Sequence, residues 1–223
     1  MAQQLQNITV AAPGFAGLNT QDSPIGVDPS FAAIADNCVI DKLGRIGARK
    51  GWVAVSSNGA AVLGSSRGIE SVFEYVKRDG TKTVFSAGNS KIFTGTTTLA
   101  EVTLPVGYSI TANDWKMVSF NNDVYFFQRG HAALVSVAGS TTLIAAEDGG
   151  NAAPAGNEVL AAYGRLWAAD IAGNKHTVYW SDLLDGDDWH SGSSGYLDLT
   201  LVWPTGFDEV VSLAAHNNFL IIF

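Results

Sequence analysis

The sequence predicts an all-β protein built from β-propeller blades, which are antiparallel four-stranded sheets, preceded by an extended N-terminal arm and a hairpin. From about residue 68, Val and aromatic residues alternate with polar residues over five to seven positions, and Gly, Asn or Asp mark the turns. A strand–turn–strand pattern recurs with spacings of 40, 42 and 53 residues between Val84, Val124, Leu166 and Phe219. An antiparallel sandwich, in which hairpins also resemble one another, is the alternative fold.

The N-terminal part, residues 1–55, is predicted to be an arm and a β-hairpin that dock on something other than their own propeller core. Six Pro and Gly residues interrupt residues 11–30 and leave no room for a long helix or strand. Only Asp28–Asp36 has helical character, because a capping Asp and a Pro stand at its start. Strands at Asn37–Asp41 and Ile46–Val55 form the predicted hairpin.

Residues 56–223 are predicted to form the blades, and the chain looks cut within a blade. The first hairpin joins Ser71–Val76 to Thr81–Ser86 through an Asp-Gly turn, a strong short-range hairpin signal. Further strands are predicted at Lys91–Thr94 and Ala100–Thr103, followed by three strand pairs: Trp115–Phe120 with Val124–Phe127, Glu158–Ala162 with Leu166–Ala169, and Glu209–Leu213 with Phe219–Ile222.

The second strand of each of these three pairs is expected to occupy an equivalent inner position in its blade and to pair with the strand before it. The last strand has no turn or partner after it in the sequence. An exposed apolar edge strand invites aggregation. We therefore expect a continuation of the protein, the N-terminal hairpin or a neighbouring subunit to cover that edge.

Composition and charge narrow the function classes. Apolar residues make up 47% and charged residues 15% of the chain, so it can bury a sizeable core. The net charge of −8 disfavours tight binding of nucleic acid backbones, which depends on Lys and Arg. The single cysteine, Cys38, excludes an internal disulfide, and the absence of a signal peptide or spanning segment predicts assembly in a cytoplasm.

The densest acidic cluster contains Asp182, Asp185, Asp187 and Asp188. Such a loop either forms turns in which the carboxylates accept nearby N–H groups or binds a cation, and the missing EF-hand spacing favours turns. The four histidines show neither metal-ligand nor triad spacing, and no nucleophile elbow or phosphate loop occurs. The sequence therefore predicts no catalytic residue, no cofactor, no metal site and no enzymatic activity.

Tryptophans could bind sugars by ring stacking or could pack in the core. Trp167 and Trp180 lie in apolar strands, which favours core packing. Trp189 and Trp203 lie in loops and are predicted to be the exposed ones.

Several segments carry a family resemblance: PGFAGLNTQDSP at residues 13–24, ADNCVID at residues 35–41 and GARKGW at residues 47–52. The later segments GRLW at residues 164–167 and VYWSD at residues 178–182, followed by Asp187–Trp189, complete the pattern. Together they resemble the N-terminal portion of the tail nozzle (tail hub) proteins of short-tailed phages.

The resemblance implies a virion structural protein with a β-propeller in each subunit and a ring of six identical subunits below the portal and adaptor protein. It implies an axial channel that conducts DNA without specific binding, and sites for tail fibre or spike proteins. Nozzle proteins are longer than this chain. The residues expected to contact partners are Leu18, Asn19, Thr20, Asp22, Arg45, Arg49, Lys50 and Trp52.

The three cations of this set, Arg45, Arg49 and Lys50, are the one basic cluster of the sequence, and they suit either a solvated hairpin edge or contact with an acidic partner. The alternative function is a carbohydrate-binding or glycan-depolymerising propeller or sandwich protein. Converging carboxylates beside an exposed Trp would favour that alternative, whereas a large ring interface would favour the structural protein.

Overall fold

The chain divides into two units, Met1–Val53 and Ala54–Phe223. A computed structural model describes residues 15–23, 25–28, 30–41, 44–51, 53–64, 68–202 and 208–223. Strands dominate both units, so the prediction of an all-β protein is confirmed. Within the described residues, no helix is long and apolar enough to cross a membrane.

The N-terminal unit contains four short strands in two pairs. Strands β1 (Gly17–Leu18) and β2 (Phe31–Ala32) are parallel, and β3 (Cys38–Ile40) and β4 (Ile46–Ala48) are antiparallel. The predicted hairpin is confirmed, although its second strand ends at Ala48. The predicted helical character of Asp28–Asp36 is wrong, because pairing with β1 holds β2 extended in the middle of that segment.

The C-terminal unit begins with the short helix α1 (Gly59–Val62) and then forms three antiparallel sheets of four strands. The first sheet contains β5 (Ser71–Val76), β6 (Lys82–Gly88), β7 (Lys91–Thr94) and β8 (Ala100–Glu101). The second sheet contains β9 (Lys116–Phe120), β10 (Asp123–Gln128), β11 (His131–Ser136) and β12 (Ile144–Ala145).

A small hairpin of β13 (Glu147–Asp148) and β14 (Asn151–Ala152) precedes the third sheet. The third sheet contains β15 (Gly156–Ala162), β16 (Arg165–Ile171), β17 (Thr177–Trp180) and β18 (Gly195–Asp198). The C-terminal hairpin contains β19 (Leu213–His216) and β20 (Phe219–Ile222). Short 3₁₀ helices lie at Val137–Gly139 and Leu199–Leu201.

The predicted strand pairs are largely confirmed. Strands β10, β16 and β20 are each the second strand of their sheet or hairpin and pair with the strand before them. Tight turns join them at Asn121–Asn122, Tyr163–Gly164 and Asn217–Asn218, where both central residues have positive φ, as a type I′ turn requires. The first strand of the last pair begins at Leu213 and not at Glu209.

Consecutive sheets of the C-terminal unit share hydrophobic cores, and β10 shows why. Side chains alternate between the two faces of a strand. Val124 and Phe126 therefore pack with buried residues of the first sheet, whereas Tyr125 and Phe127 pack with those of the third. In β16, likewise, Leu166 faces the second sheet and Ala169 packs with the C-terminal hairpin. The second and third sheets therefore each bury apolar side chains on both faces.

Candidate functional site

Of the predicted contact residues, Leu18 is the last residue of β1, and Asn19, Thr20 and Asp22 lie in the turn that follows this strand. Asn19 stabilises this turn: its Oδ1 accepts the N–H groups of Gln21 and Asp22 at 3.1 and 3.2 Å, and its Nδ2 donates to Asp22 Oδ2 at 2.8 Å. The side chains of Leu18 and Thr20 are exposed. Asn19 and Asp22 are thus engaged within the turn, whereas Leu18 and Thr20 face solvent.

The three cations of the predicted basic cluster flank β4 and are all exposed. Arg45 precedes the strand, and Arg49 and Lys50 follow it. Arg49 and Lys50 line a shallow groove of about 550 Å³ together with Val39 and Ala48. The structure therefore brings two of the three cations to one groove with an apolar floor, a surface that suits a partner carrying both apolar and acidic groups.

None of the described residues of the N-terminal unit is buried. Trp52, the last predicted contact residue, lies outside the described residues. Several large apolar side chains of this unit are more than two-fifths exposed: Leu18, Ile25, Ile34, Val39, Ile46 and Val53. Large apolar side chains on a segment without a core are characteristic of a surface that binds another chain.

The acidic loop between β17 and β18 consists of turns closed by carboxylates. Asp182 Oδ1 accepts the N–H and the hydroxyl of Ser193 at 2.8 and 2.6 Å, and these bonds lower the pKa of Asp182 to about 2. Asp188 accepts the hydroxyl of Ser191 and the N–H groups of His190 and Ser191, which also lowers its pKa. The turn interpretation is therefore correct for both carboxylates. Within the described residues, no group of three or more His, Cys, Asp or Glu side chains could hold a metal ion.

Asp187 differs from the other carboxylates of this loop. Burial is the main cause that raises the pKa of Asp187 to about 6, and repulsion from Asp185 and Asp123 adds to the rise. A hydrogen bond with the Tyr125 hydroxyl lowers this pKa in part. One of its carboxylate oxygens, Oδ1, is buried without a hydrogen-bond partner. Burial also raises the pKa of Tyr125. Asp187 is thus a half-buried carboxyl group that keeps its proton to a higher pH than an ordinary aspartate does.

The segments that resemble a nozzle blade meet around the third sheet. The Arg165 guanidinium donates to the carbonyl oxygens of Ser181 and Ser193 at 2.7 and 2.9 Å and to the Ser193 hydroxyl at 2.7 Å. Trp167 and Trp180 pair across β16 and β17 with ring centroids 5.5 Å apart, and both are half-buried. In this structure, these motif residues hold the loop that follows β17 against the sheet.

The prediction that Trp189 is exposed is wrong, since the side chain is only 4% exposed. Its indole N–H donates to the Gly186 carbonyl at 2.8 Å, and its ring packs edge-on against Phe127 at a centroid distance of 6.1 Å. The acidic loop therefore folds back onto the core between the second and third sheets. Trp203, the other tryptophan predicted to be exposed, lies outside the described residues.

A cavity beside β18 was not predicted from the sequence. Tyr179 and Tyr196 stand opposite each other in β17 and β18 and line a cavity of about 440 Å³. The sequence signal for β18 is weak because this strand of four residues follows a loop rich in Gly, Asp and Ser. The position of Tyr196 opposite Tyr179 could therefore not be predicted from the sequence.

Comparison with known proteins gives only weak similarity to solved structures. No protein-family model and no curated protein matches the chain. The chain is similar to the crystal structure of the computationally designed Ika4 protein, with 14% identity, coverage of 70% of this chain and 84% of that chain, and a TM-score of 0.41. A similarity of this size carries no argument about fold or function.

Proposed function

We propose that the chain is a structural subunit of the tail nozzle of a short-tailed phage, which assembles into a ring of six copies below the portal and adaptor protein. One observation carries this proposal. The opening motif that resembles the nozzle family lies in a unit whose described residues include no buried side chain and several exposed large apolar ones. Such a segment can bury its apolar side chains only against a partner, and a neighbouring subunit of a ring would supply that surface.

Under the same proposal, the three sheets and the C-terminal hairpin are consecutive blades of a β-propeller. Within the C-terminal unit, the first strands of successive sheets and of the C-terminal hairpin lie next to one another: β5 beside β9, β9 beside β15, and β15 beside β19. This is the arrangement expected around a propeller axis. Polar contacts join them: the Ser71 hydroxyl accepts the Trp115 N–H at 2.8 Å, Lys116 Nζ lies 3.6 Å from Glu158, and Glu158 accepts the Leu213 N–H at 3.2 Å.

The charges of the chain suit these roles. An acidic protein repels the DNA backbone, so a net charge of −8 favours passage of DNA through a channel without specific binding. The groove beside Arg49 and Lys50 gives the N-terminal unit a local positive charge for contact with the adaptor or a neighbouring subunit. Tail fibre or spike proteins would then bind the loops of the blades.

The mass of the native assembly, measured by mass photometry or cryo-EM, tests the proposal. The full chain should form a ring of six. Val39→Asp places a carboxylate on the apolar floor of the hairpin groove and should reduce the ring to monomers, whose circular dichroism is unchanged because Val39 belongs to no core. Val106→Asp is the matched control, since Val106 is fully exposed in a loop of the other unit.

Two results would contradict the structural role. Rings that form equally well from the Val39→Asp protein, or from a protein lacking residues 1–30, would show that the N-terminal unit does not drive assembly. A monomer that cleaves glycans, and loses this activity in Asp188→Asn, would establish the enzymatic alternative.

A further inference from the structure

The cavity beside β18 has aromatic walls and an exposed ring. The centroids of Tyr179 and Tyr196 are 5.6 Å apart with ring planes inclined by 34°, and Trp189 also lines the cavity. Tyr196 is 65% exposed, so most of its ring surface is open to solvent. A cavity of about 440 Å³ falls in the size range of small-molecule sites, which are mostly apolar with a few polar groups.

The polar groups of this cavity are uncharged hydroxyls and one imidazole. Asn174 Nδ2 donates to the Tyr179 hydroxyl at 2.9 Å, which leaves the proton of that hydroxyl free to be donated to a ligand. His190 and Ser194 also line the cavity. None of the described residues that line the cavity carries a carboxylate, an ammonium or a guanidinium group. The cavity therefore suits a neutral ligand with several hydroxyls better than a phosphate, an acid or a cation.

The wall of the cavity is fixed before any ligand arrives. Asp188 accepts the backbone N–H groups of His190 and Ser191 at 3.0 and 2.9 Å. The hydroxyl of Ser194 donates to the Ser191 carbonyl at 2.6 Å, and Asp182 accepts two hydrogen bonds from Ser193. A binding site whose loop is already held by hydrogen bonds loses less conformational entropy when the ligand binds.

We propose that this cavity binds a neutral sugar ring of a glycan. The apolar C–H face of a pyranose stacks on the ring of Tyr196, and its hydroxyl groups bond with the Tyr179 hydroxyl and the His190 imidazole. Aromatic side chains that combine an apolar face with a polar tip are suited to such amphipathic partners. This binding is independent of the ring-forming role proposed above, because it uses the third sheet and not the N-terminal unit.

Saturation-transfer NMR and calorimetry on the full chain test this inference. The probes are neutral methyl glucoside, methyl galactoside, maltose and lactose, with glucuronate and glucosamine as charged counterparts. At least one neutral sugar should bind more tightly than its charged counterpart. Tyr196→Ala should weaken that binding at least about tenfold, whereas Tyr196→Phe, which keeps the ring, should change it less than about threefold.

Tyr163→Ala is the matched control, because Tyr163 is exposed in the turn between β15 and β16 and does not line the cavity. This variant should bind the sugar as the natural sequence does. The inference is overturned if none of the neutral sugars binds, if Tyr196→Ala binds as well as the natural sequence, or if Tyr163→Ala loses as much affinity as Tyr196→Ala. Binding of a proline-rich peptide in place of the sugars, lost in Tyr196→Ala, would also overturn it.

Discussion

The side-chain ammonium of Lys116 lies 3.6 Å from the carboxylate of Glu158, and this contact joins the first strands of the second and third sheets. The other oxygen of Glu158 accepts the Ser212 hydroxyl at 3.1 Å and the Leu213 N–H at 3.2 Å. The Glu158 side chain is only 13% exposed. The Glu158 carboxylate thus links the second sheet, the third sheet and the C-terminal hairpin.

Replacing Glu158 should therefore destabilise the C-terminal unit. Glu158→Ala leaves the Leu213 N–H without its acceptor and should lower the free energy of unfolding by about 2 kcal/mol. Glu158→Gln keeps an acceptor oxygen and should have a smaller effect. Urea denaturation at neutral pH measures both.

Glu74→Ala provides the control for a simple ion pair. Glu74 pairs with Lys82 within the first sheet, and both side chains are more than half exposed. Exposed pairs contribute little, so this change should stay below about 0.5 kcal/mol. Equal losses in the free energy of unfolding for Glu158→Ala and Glu74→Ala would show that the Glu158 contacts between sheets stabilise the protein no more than an exposed ion pair does.

Asp187→Asn should make the protein more stable at neutral pH. The pKa of Asp187 is raised in the folded chain to about 6 from an ordinary value of 3.8, so its contribution to stability is full at low pH and declines as pH rises through about 6. The neutral amide avoids this decline. We expect a gain of up to about 1 kcal/mol at pH 7.5, allowing for the partial exposure of the group, and no gain below about pH 4.

Asp182→Asn should show the opposite pH dependence, because the pKa of Asp182 is lowered to about 2. A lowered pKa stabilises the folded state above the ordinary value of 3.8, and this stabilisation is lost as pH falls towards 2. The variant should therefore be less stable than the natural sequence at neutral pH and approach it in acid. Urea titrations between pH 3 and pH 8 measure both variants, and parallel curves for all three proteins would refute the assignment of these two groups.

Gly186→Ala should disturb the core between the second and third sheets. A β-carbon at this position would lie 2.5 Å from the ring of Tyr125 and 3.0 Å from Leu166 Cδ1, and both of those side chains are buried. Overpacking of this kind destabilises by about 1–3 kcal/mol, which differential scanning calorimetry would detect as a lower Tm. Gly59→Ala in α1, where the nearest atom would lie at 3.4 Å, should leave Tm unchanged or slightly higher.

The elements that the sequence predicted well are those whose signal is local. The apolar run Val124–Phe127, rich in aromatic residues, and the Asn-rich turn before it were sufficient to predict β10 and its pairing with β9. Strand β11 also contributes buried side chains to both neighbouring cores, but it was not predicted. Its segment HAALVS contains two Ala and no aromatic residue, so its composition carries a weaker strand signal than that of β10.

The errors at Trp189 and over Asp28–Asp36 have a different physical origin. The composition around Trp189 is that of an exposed loop, and its burial depends on Phe127, which lies far away in the sequence. The capping pattern at Asp28 is genuine as a local signal, since its carboxylate accepts the N–H and hydroxyl of Ser30. Pairing with β1 then overrides the helical propensity that follows.

The exposed face of the C-terminal hairpin bears on which strands of the C-terminal unit unfold locally first. Phe219 and Phe223 are 70% and 62% exposed, whereas Phe126 of β10 is fully buried between two sheets. Of the eight residues of β19 and β20 only Leu213 is buried, whereas four of the six residues of β10 are buried, and segments with few buried contacts open more readily. Within the C-terminal unit, amide hydrogen exchange should therefore be faster in β19 and β20 than in β10, with separation of the hairpin as an early event that leaves the three sheets protected.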